Sequence, residues 1–301
     1  MFYRTTGALL LALCATAAQA QRDVVAFVQD NMGNDFRQAQ VMEAKDEAQK
    51  RGLNFLYTDA QGQTSRLISQ MNELIGRQVG VIILGTNDDK AVVPVVAKAE
   101  KAGVRVVVLD RGIAGKDFTT FINSDNLKIG EMGANNLGKK LGGKGTVLLF
   151  EGLQTADVTH LRTQGFLKGM QAYPEIKVLR RTGNYLRKDA IEETEKLLTA
   201  GTQFDAVFSQ SDSMLSGVRM VLEKRKINPA SIVMVGVDYT SEARDAIRAR
   251  TQFASILFPL GGRQAVAVAQ DILKGRKVPQ HISIPVQWVT LANVEKVPPI
   301  F

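Results

Sequence analysis

Short runs made almost entirely of Val, Ile and Leu recur along this chain, among them Val24–Val28, Val79–Leu84 and Val104–Leu109. Each is separated from the next by a stretch long enough for a helix. Near-continuous aliphatic strands need cover on both faces, which a parallel sheet flanked by helices provides. The alternation therefore predicts an α/β chain with doubly wound parallel sheets. Gly52 and Gly103 stand just past two of the helical stretches, where the left-handed position after a helix favours glycine.

The pattern runs through twice. The first pass reads as strand Val24–Val28, helix Phe36–Arg51, strand Leu53–Tyr57, helix Thr64–Arg77, strand Val79–Leu84, helix Ala91–Ala102 and strand Val104–Leu109. A junction is expected near Phe121–Asp125. The second pass reads as helix Asn126–Leu141, strand Thr146–Phe150, helix His160–Tyr173, strand Ile176–Arg181, helix Asp189–Ala200 and strand Ala206–Ser209. It continues with helix Met214–Lys226, strand Ile232–Val237, helix Glu242–Arg250 and strand Phe253–Phe258. Helix Gly262–Lys274 and a closing strand, Ile282–Val289, follow. A length of 301 residues suits two such lobes, each with its own core.

The N-terminus carries an export signal. Arg4 precedes the apolar run Gly7–Leu13, and Ala18-Gln19-Ala20 offers a small-x-small cleavage site before Gln21. The run falls short of the ~20 apolar residues that a membrane-spanning helix needs. Cleavage after Ala20 is the expectation. Lipidation at Cys14 is the alternative, disfavoured by Leu13 where a small residue belongs. Cys14 is the chain's single cysteine, so the mature protein holds no disulfide. Residues 1–20 are thus read as a signal peptide, and the mature protein as periplasmic.

The formal charge is +8, and the signal removes only Arg4. The basic residues are interspersed with acids, as in Lys45-Asp46-Glu47, so the charge favours solubility and no nucleic-acid partner is expected. Signals for catalysis and cofactors are poor. Gly138 to Gly145, with Gly143-Lys144, half resembles a phosphate loop, but Gly145 stands where Ser or Thr should follow the lysine. His160 and His281 lack metal-ligand spacing, and no nucleophile elbow is present. No cofactor, metal or catalytic residue is expected, and Trp288 reads as a packing residue.

In open parallel sheets, ligands bind beyond the carboxyl ends of the strands. Here those ends read Gln29-Asp30, Gly85-Thr86-Asn87-Asp88, Asp110-Arg111, Glu151-Gly152, Ser209-Gln210-Ser211-Asp212 and Val237-Asp238. Ser211, Asp212 and Asp88 fit helix caps or exposed positions as well as they fit a site. Asp110, Arg111 and Asp238 directly follow hydrophobic strands and read as functional.

Taken in order, Asp110-Arg111, Asn123-Ser124-Asp125-Asn126, Arg162 before Gly165-Phe166, Ser211-Asp212 and Asp238 carry a resemblance. From about Val24 to Val289 the chain resembles the ribose-type (type I) periplasmic sugar-binding proteins of bacterial ABC transporters. The resemblance implies that Asp110, Arg111, Arg162 and Asp238 hydrogen-bond sugar hydroxyls. It places Asp30, Asn34 and Phe36 in the loop after the first strand, and Tyr185 as an aromatic cover for the other sugar face. Carboxylates would accept, and arginines donate, charge-assisted hydrogen bonds; an aromatic ring would cover the apolar face of a sugar.

The chain departs from that pattern where Arg37 follows Phe36 in place of a second aromatic, where Ser211 replaces an Asn, where Phe258 falls near a usual Gln, where Gly85 replaces an Asn, and where His160 stands at a position often held by Arg. These changes point to a polyhydroxylated ligand other than ribose: another pentose or hexose, a polyol or a cyclitol. An anionic sugar derivative follows if Arg37 faces the cleft rather than the surface. The resemblance further implies an N-terminal lobe of residues 22–124 with 259–285, and a C-terminal lobe of 125–258 with 286–301. Three crossovers would form a hinge, and the lobes would close on ligand. The expected protein is a monomeric receptor, not an enzyme, that delivers its ligand to an ABC permease. A receptor for a sensor kinase or chemoreceptor is the alternative, and a periplasmic hydrolase a more remote one.

Overall fold

The computed structural model describes residues 22–301; the expected signal peptide and its expected cleavage site lie outside the described residues. The chain divides into two compact units. The first gathers residues 22–33, Arg37–Asn123 and Leu260–Ile282, and the second gathers Asn34–Phe36, Ser124–Pro259 and Ser283–Phe301.

The first unit is built on strands β1 (Val24–Gln29), β2 (Asn54–Asp59), β3 (Val81–Gly85), β4 (Arg105–Leu109) and β5 (Thr120–Asn123). Helices α1 (Asp35–Lys50), α2 (Thr64–Gly76) and α3 (Val93–Lys101) lie between them. The second unit alternates α4 (Asn126–Lys140), β6 (Lys144–Glu151), α5 (Asp157–Met170), β7 (Glu175–Thr182), α6 (Arg187–Thr199) and β8 (Ala206–Ser209). It continues with α7 (Asp212–Lys224), β9 (Val233–Asp238), α8 (Ser241–Arg248) and β10 (Ala254–Leu257). Helix α9 (Gly262–Leu273), strand β11 (His281–Ser283) and strand β12 (Gln287–Thr290) end the chain.

The two sheets run β11-β5-β4-β3-β1-β2 and β12-β10-β9-β8-β6-β7. In each, the first strand of the pass lies inside, the second takes the edge, and the chain then crosses back to continue on the other side. β1 pairs in parallel with both β2 and β3, and β6 with both β7 and β8. These reversals are topological switch points, at which the carboxyl ends of adjacent strands open a crevice.

The aliphatic runs are buried because helices cover both faces. In the first unit Ala26, Val28, Ile82, Leu84, Val106 and Val108 pack on Leu67, Met71 and Leu74 of α2 and Val95, Val96 and Ala99 of α3. Helix α9 returns to β3 and β4 and buries Ala265, Val266 and Ala269. In the second unit Leu148, Phe150, Val207 and Met234 pack on Leu215, Val218 and Leu222 of α7. Each fully buried Val, Ile or Leu contributes about 1.5–3 kcal/mol.

Two elements differ from the sequence reading. The junction at Phe121–Asp125 contains strand β5, whose four residues alternate between buried and half-buried and are too few for a hydrophobic run to stand out. The closing strand Ile282–Val289 is two strands: β11 joins the first sheet, and β12 pairs antiparallel with β10 in the second. Pro285 lies between them, and its ring nitrogen has no hydrogen to give a ladder. Trp288 stands edge-on to Phe253 at 6.3 Å, as a packing residue would. Among the described residues no helix is long and apolar enough to cross a membrane, and no cluster of His, Cys, Asp and Glu could hold a metal ion.

Candidate functional site

In the first unit, Asp30, Arg37, Asp110 and Arg111 form one buried cluster. Asp30 follows β1, Asp110 and Arg111 follow β4, and Arg37 rises from the first turn of α1. All four are 4–6% exposed. Arg37 Nη2 pairs with Asp110 Oδ2 at 2.5 Å, and Arg111 Nη1 with Asp30 Oδ2 at 3.2 Å. Arg37 is therefore an inward residue, with its charge matched by Asp110. Its Nη1 also donates to Gln40 Oε1, one turn along the helix. Gln40 Nε2 in turn donates to the Leu260 carbonyl, and Gln29 Nε2 donates to Gln40 Oε1. The Gln29 side chain occupies the space that a Cβ on Gly85 would need, which accounts for the glycine there.

Each carboxylate has one oxygen committed and one open. Oδ1 of Asp30 and Oδ1 of Asp110 are buried and have no hydrogen-bond partner in the protein. A buried acceptor without a donor costs about 1–3 kcal/mol, so these two atoms call for donors from outside the chain. Burial pushes the Asp30 carboxyl above its ordinary pKa, while Arg111 and Arg37 pull it back. Asp110 takes φ = 68°, a left-handed conformation uncommon in a non-glycine residue. Its amide donates to the Ile122 carbonyl at 2.7 Å, so the unforeseen β5 fixes the turn that aims it.

The second unit holds Asn34, Phe36, Arg162, Tyr185, Ser211, Asp238 and Phe258. Arg162 lies on α5, 3% exposed, where α4 and α5 pack so tightly that a Cβ on Gly130 or Gly165 would overlap the facing helix backbone. Its Nε donates to Asn126 Oδ1 and its Nη1 to the Gln210 carbonyl, both at 2.8 Å. The guanidinium lies 4.6 Å from the centre of the Phe258 ring, a cation–π contact. Phe36 packs on the same Phe258 ring, with ring centres 5.6 Å apart. Asn34 donates to the Tyr185 carbonyl at 2.8 Å.

The Tyr185 ring is 8% exposed, packs in the hydrophobic core of this unit and bonds Thr159 Oγ1 through its hydroxyl at 2.8 Å. It lies over Gly152, where any Cβ would strike the ring. Ser211 is the N-cap of α7, its Oγ accepting from the Met214 amide at 3.2 Å. Asp88 likewise accepts from the Ala91 amide at 2.9 Å. Asp238 closes β9, 5% exposed, with φ = 110°. The candidate residues thus fall into two sets, one in each unit.

Several partners escaped the sequence reading. Gln40 could have been noticed from its i+3 spacing to Arg37 on a helix whose Val41 and Ala44 point inward. Asn126 sits inside a motif singled out above, without its bond to Arg162 being foreseeable. Gln210 is fully buried, receives Arg162 through its backbone and donates to Thr163 Oγ1 at 2.9 Å through its side chain. Asp212 is neither exposed nor a cap: its carboxylate turns inward and is 2% exposed.

Comparison with known proteins adds an independent result. A family model described as a periplasmic binding protein domain matches residues 25–277. The ribose import binding protein of Bacillus subtilis is 31% identical over 246 residues, covering 81% of this chain and 79% of that protein. Among solved structures, an ABC transporter solute-binding protein from Mycobacterium smegmatis with bound glycerol has a TM-score of 0.84 at 28% identity, covering 91% of this chain and 96% of that one. The periplasmic binding component of the arabinose transporter from Shewanella sp. ANA-3, bound to L-arabinofuranose, has a TM-score of 0.86 at 26% identity, covering 91% and 93%.

Proposed function

Since the chain belongs to the periplasmic binding protein family, in its ribose-type branch, we propose that it captures a neutral polyhydroxylated ligand in the periplasm and delivers it to an ABC permease. The ligand class is a pentose, hexose, polyol or cyclitol. The observation that carries this reading is the pair of open oxygens, Asp30 Oδ1 and Asp110 Oδ1, held by neighbouring ion pairs at the strand ends of the first unit. Two fixed acceptors beside two guanidinium groups suit vicinal hydroxyls, each of which can donate to a carboxylate and accept from an arginine.

Charge balance selects against an acid. Arg37 and Arg111 are matched by Asp110 and Asp30, so this cluster has no net cation to spend on a carboxylate or phosphate. Arg162, Asp238, Phe36 and Phe258 supply the second set. The Tyr185 ring is committed to Thr159 and the core, so its contribution is to shape the turn rather than to stack on a sugar.

A ligand that binds one state of such a receptor better than another shifts the population toward it, and closure on ligand is the expected response. The ligand leaves unchanged, without turnover. Export by a signal cut after Ala20 completes the reading, and the mass of the secreted chain checks it.

A thermal-shift screen over pentoses, hexoses, polyols, cyclitols and their acidic derivatives tests the proposal. At a hundredfold excess over Kd, a ligand that binds only the folded state stabilises it by about 2.7 kcal/mol. A neutral compound should raise the melting temperature, and uronic acids or sugar phosphates should not. A response confined to anions would refute the neutral-ligand reading.

A further inference from the structure

Tyr239, the residue after the strand-end Asp238, gives its amide hydrogen to Asp212, which lies 26 positions before Asp238. We propose that Asp212 is a positioning residue of the site: by accepting the Tyr239 amide it fixes the left-handed turn that aims the Asp238 carboxylate. This rests on the reading of Asp238 as a ligand-binding group.

The turn is unusual. Asp238 has φ = 110° and Tyr239 has φ = 62°, so two successive non-glycine residues lie in a region that side chains avoid. Such a pair persists only where the surroundings hold it. Tyr239 N donates to Asp212 Oδ2 at 2.7 Å and lies 3.1 Å from Ser255 Oγ. From the other side, the Tyr239 hydroxyl lies 3.1 and 3.0 Å from the Val294 and Val297 carbonyls, and the Ile300 amide donates to the Tyr239 carbonyl at 3.1 Å. The turn is clamped at its amide by Asp212 and at its ring by the C-terminal tail.

The chemistry requires a carboxylate. Three donors converge on Asp212: the Tyr239 amide and the Ser255 hydroxyl on Oδ2, the latter at 2.6 Å, and Gln252 Nε2 on Oδ1 at 2.8 Å. Gln252 cannot be turned round. Its Oε1 accepts from Arg219 Nη1, and its Nε2 also donates to the Ala254 carbonyl at 3.0 Å. Both oxygens of Asp212 must therefore accept, and an Asn would set its NH₂ against one of these donors. Gly236 completes the fit, because a Cβ there would overlap Asp212 Oδ1.

The experiment uses the full chain and the substitutions Asp212→Asn and Ser255→Ala, each alone and combined with Asp238→Ala. Two readouts are taken: hydrogen exchange of the Tyr239 amide, and calorimetric affinity for whichever of D-ribose, L-arabinose, xylitol and myo-inositol binds the unaltered protein best. Asp212→Asn should speed exchange at Tyr239 at least tenfold, leave the Val235 and Val207 amides at their original rates, and weaken binding at least tenfold. In the Asp238→Ala background the same substitution should cost little further affinity, since the group it positions is gone.

Ser255→Ala should show the same pattern at smaller size, and it carries the test if Asp212→Asn does not fold. Unchanged protection of Tyr239, or affinity losses that simply add to that of Asp238→Ala, would overturn the proposal. If none of the four sugars binds the unaltered protein, the functional reading has failed for them. Exchange at Tyr239 then decides, by the same criteria, whether Asp212 holds the turn.

Discussion

Arg37 and Asp110 face each other at 2.5 Å, each about 95% buried, and the pair spends only one of the two oxygens of Asp110. Breaking a buried pair from one side strands a charge, so removal of either partner costs more than the pair itself contributes. Asp110→Ala should weaken ligand binding by about 1–3 kcal/mol, roughly 5- to 150-fold. Arg37→Ala should do at least as much and also lower stability, because it leaves Asp110 buried and unmatched. Calorimetry, with folding checked by circular dichroism, measures both; an unchanged affinity in Asp110→Ala would remove that residue from the site.

Asp238 is expected to matter as much from the second unit. Asp238→Ala should lose affinity in the same range of about 1–3 kcal/mol while leaving β9 and β10 in register. Calorimetric titration measures the loss, and comparing its effect with that of Asp110→Ala in the double variant measures the coupling between the two carboxylates.

Acid should stabilise the ligand-free protein through Asp212. Burial raises its pKa from 3.8 to about 6, against the pull of Ser255, Gln252, the Tyr239 amide and Arg219. A carboxyl whose pKa is higher folded than unfolded binds more protons in the folded state between those values, so stability falls as pH rises from about 4 to about 6. The full effect is on the order of 3 kcal/mol. Urea unfolding between pH 4 and pH 7 should show this slope in the original protein, and Asp212→Asn should show a shallower one, with the contribution of the buried Asp30 remaining.

Gly236→Ala should destabilise the second unit by about 1–3 kcal/mol, as overpacking of a filled interior does. The added methyl must push the Asp212 carboxylate off its partners. Denaturant titration gives the stability, and weaker sugar binding by the folded variant would show the same displacement reaching Asp238.

The two sheets were legible because their strands are nearly unbroken aliphatic runs, as in Val106–Leu109, and helices of ordinary length separate them. β5 was not, since four residues of alternating burial carry no run, and neither was the break at Pro285, which one strand reading bridged. Of the candidate residues, Asp110, Arg111 and Asp238 could be named from their position directly after a hydrophobic strand, while Asp30 needed the resemblance. What position could not supply was the pairing: that Arg37 turns inward to Asp110, or that Tyr185 spends its ring on Gly152 and Thr159. Asp212 shows the limit most clearly. An acid at the first turn of a helix has an ordinary role as a cap or dipole partner, and only the fold brings Ser255, Gln252 and the Tyr239 amide around it.

The most direct test of the account is a crystal structure of the complex with the tightest neutral ligand from the screen. The expected result is a pair of ligand hydroxyl oxygens at about 2.5–3.0 Å from Asp30 Oδ1 and Asp110 Oδ1, with the Arg37–Asp110 and Arg111–Asp30 pairs intact. A ligand bound elsewhere, with both oxygens still lacking a donor, would contradict it.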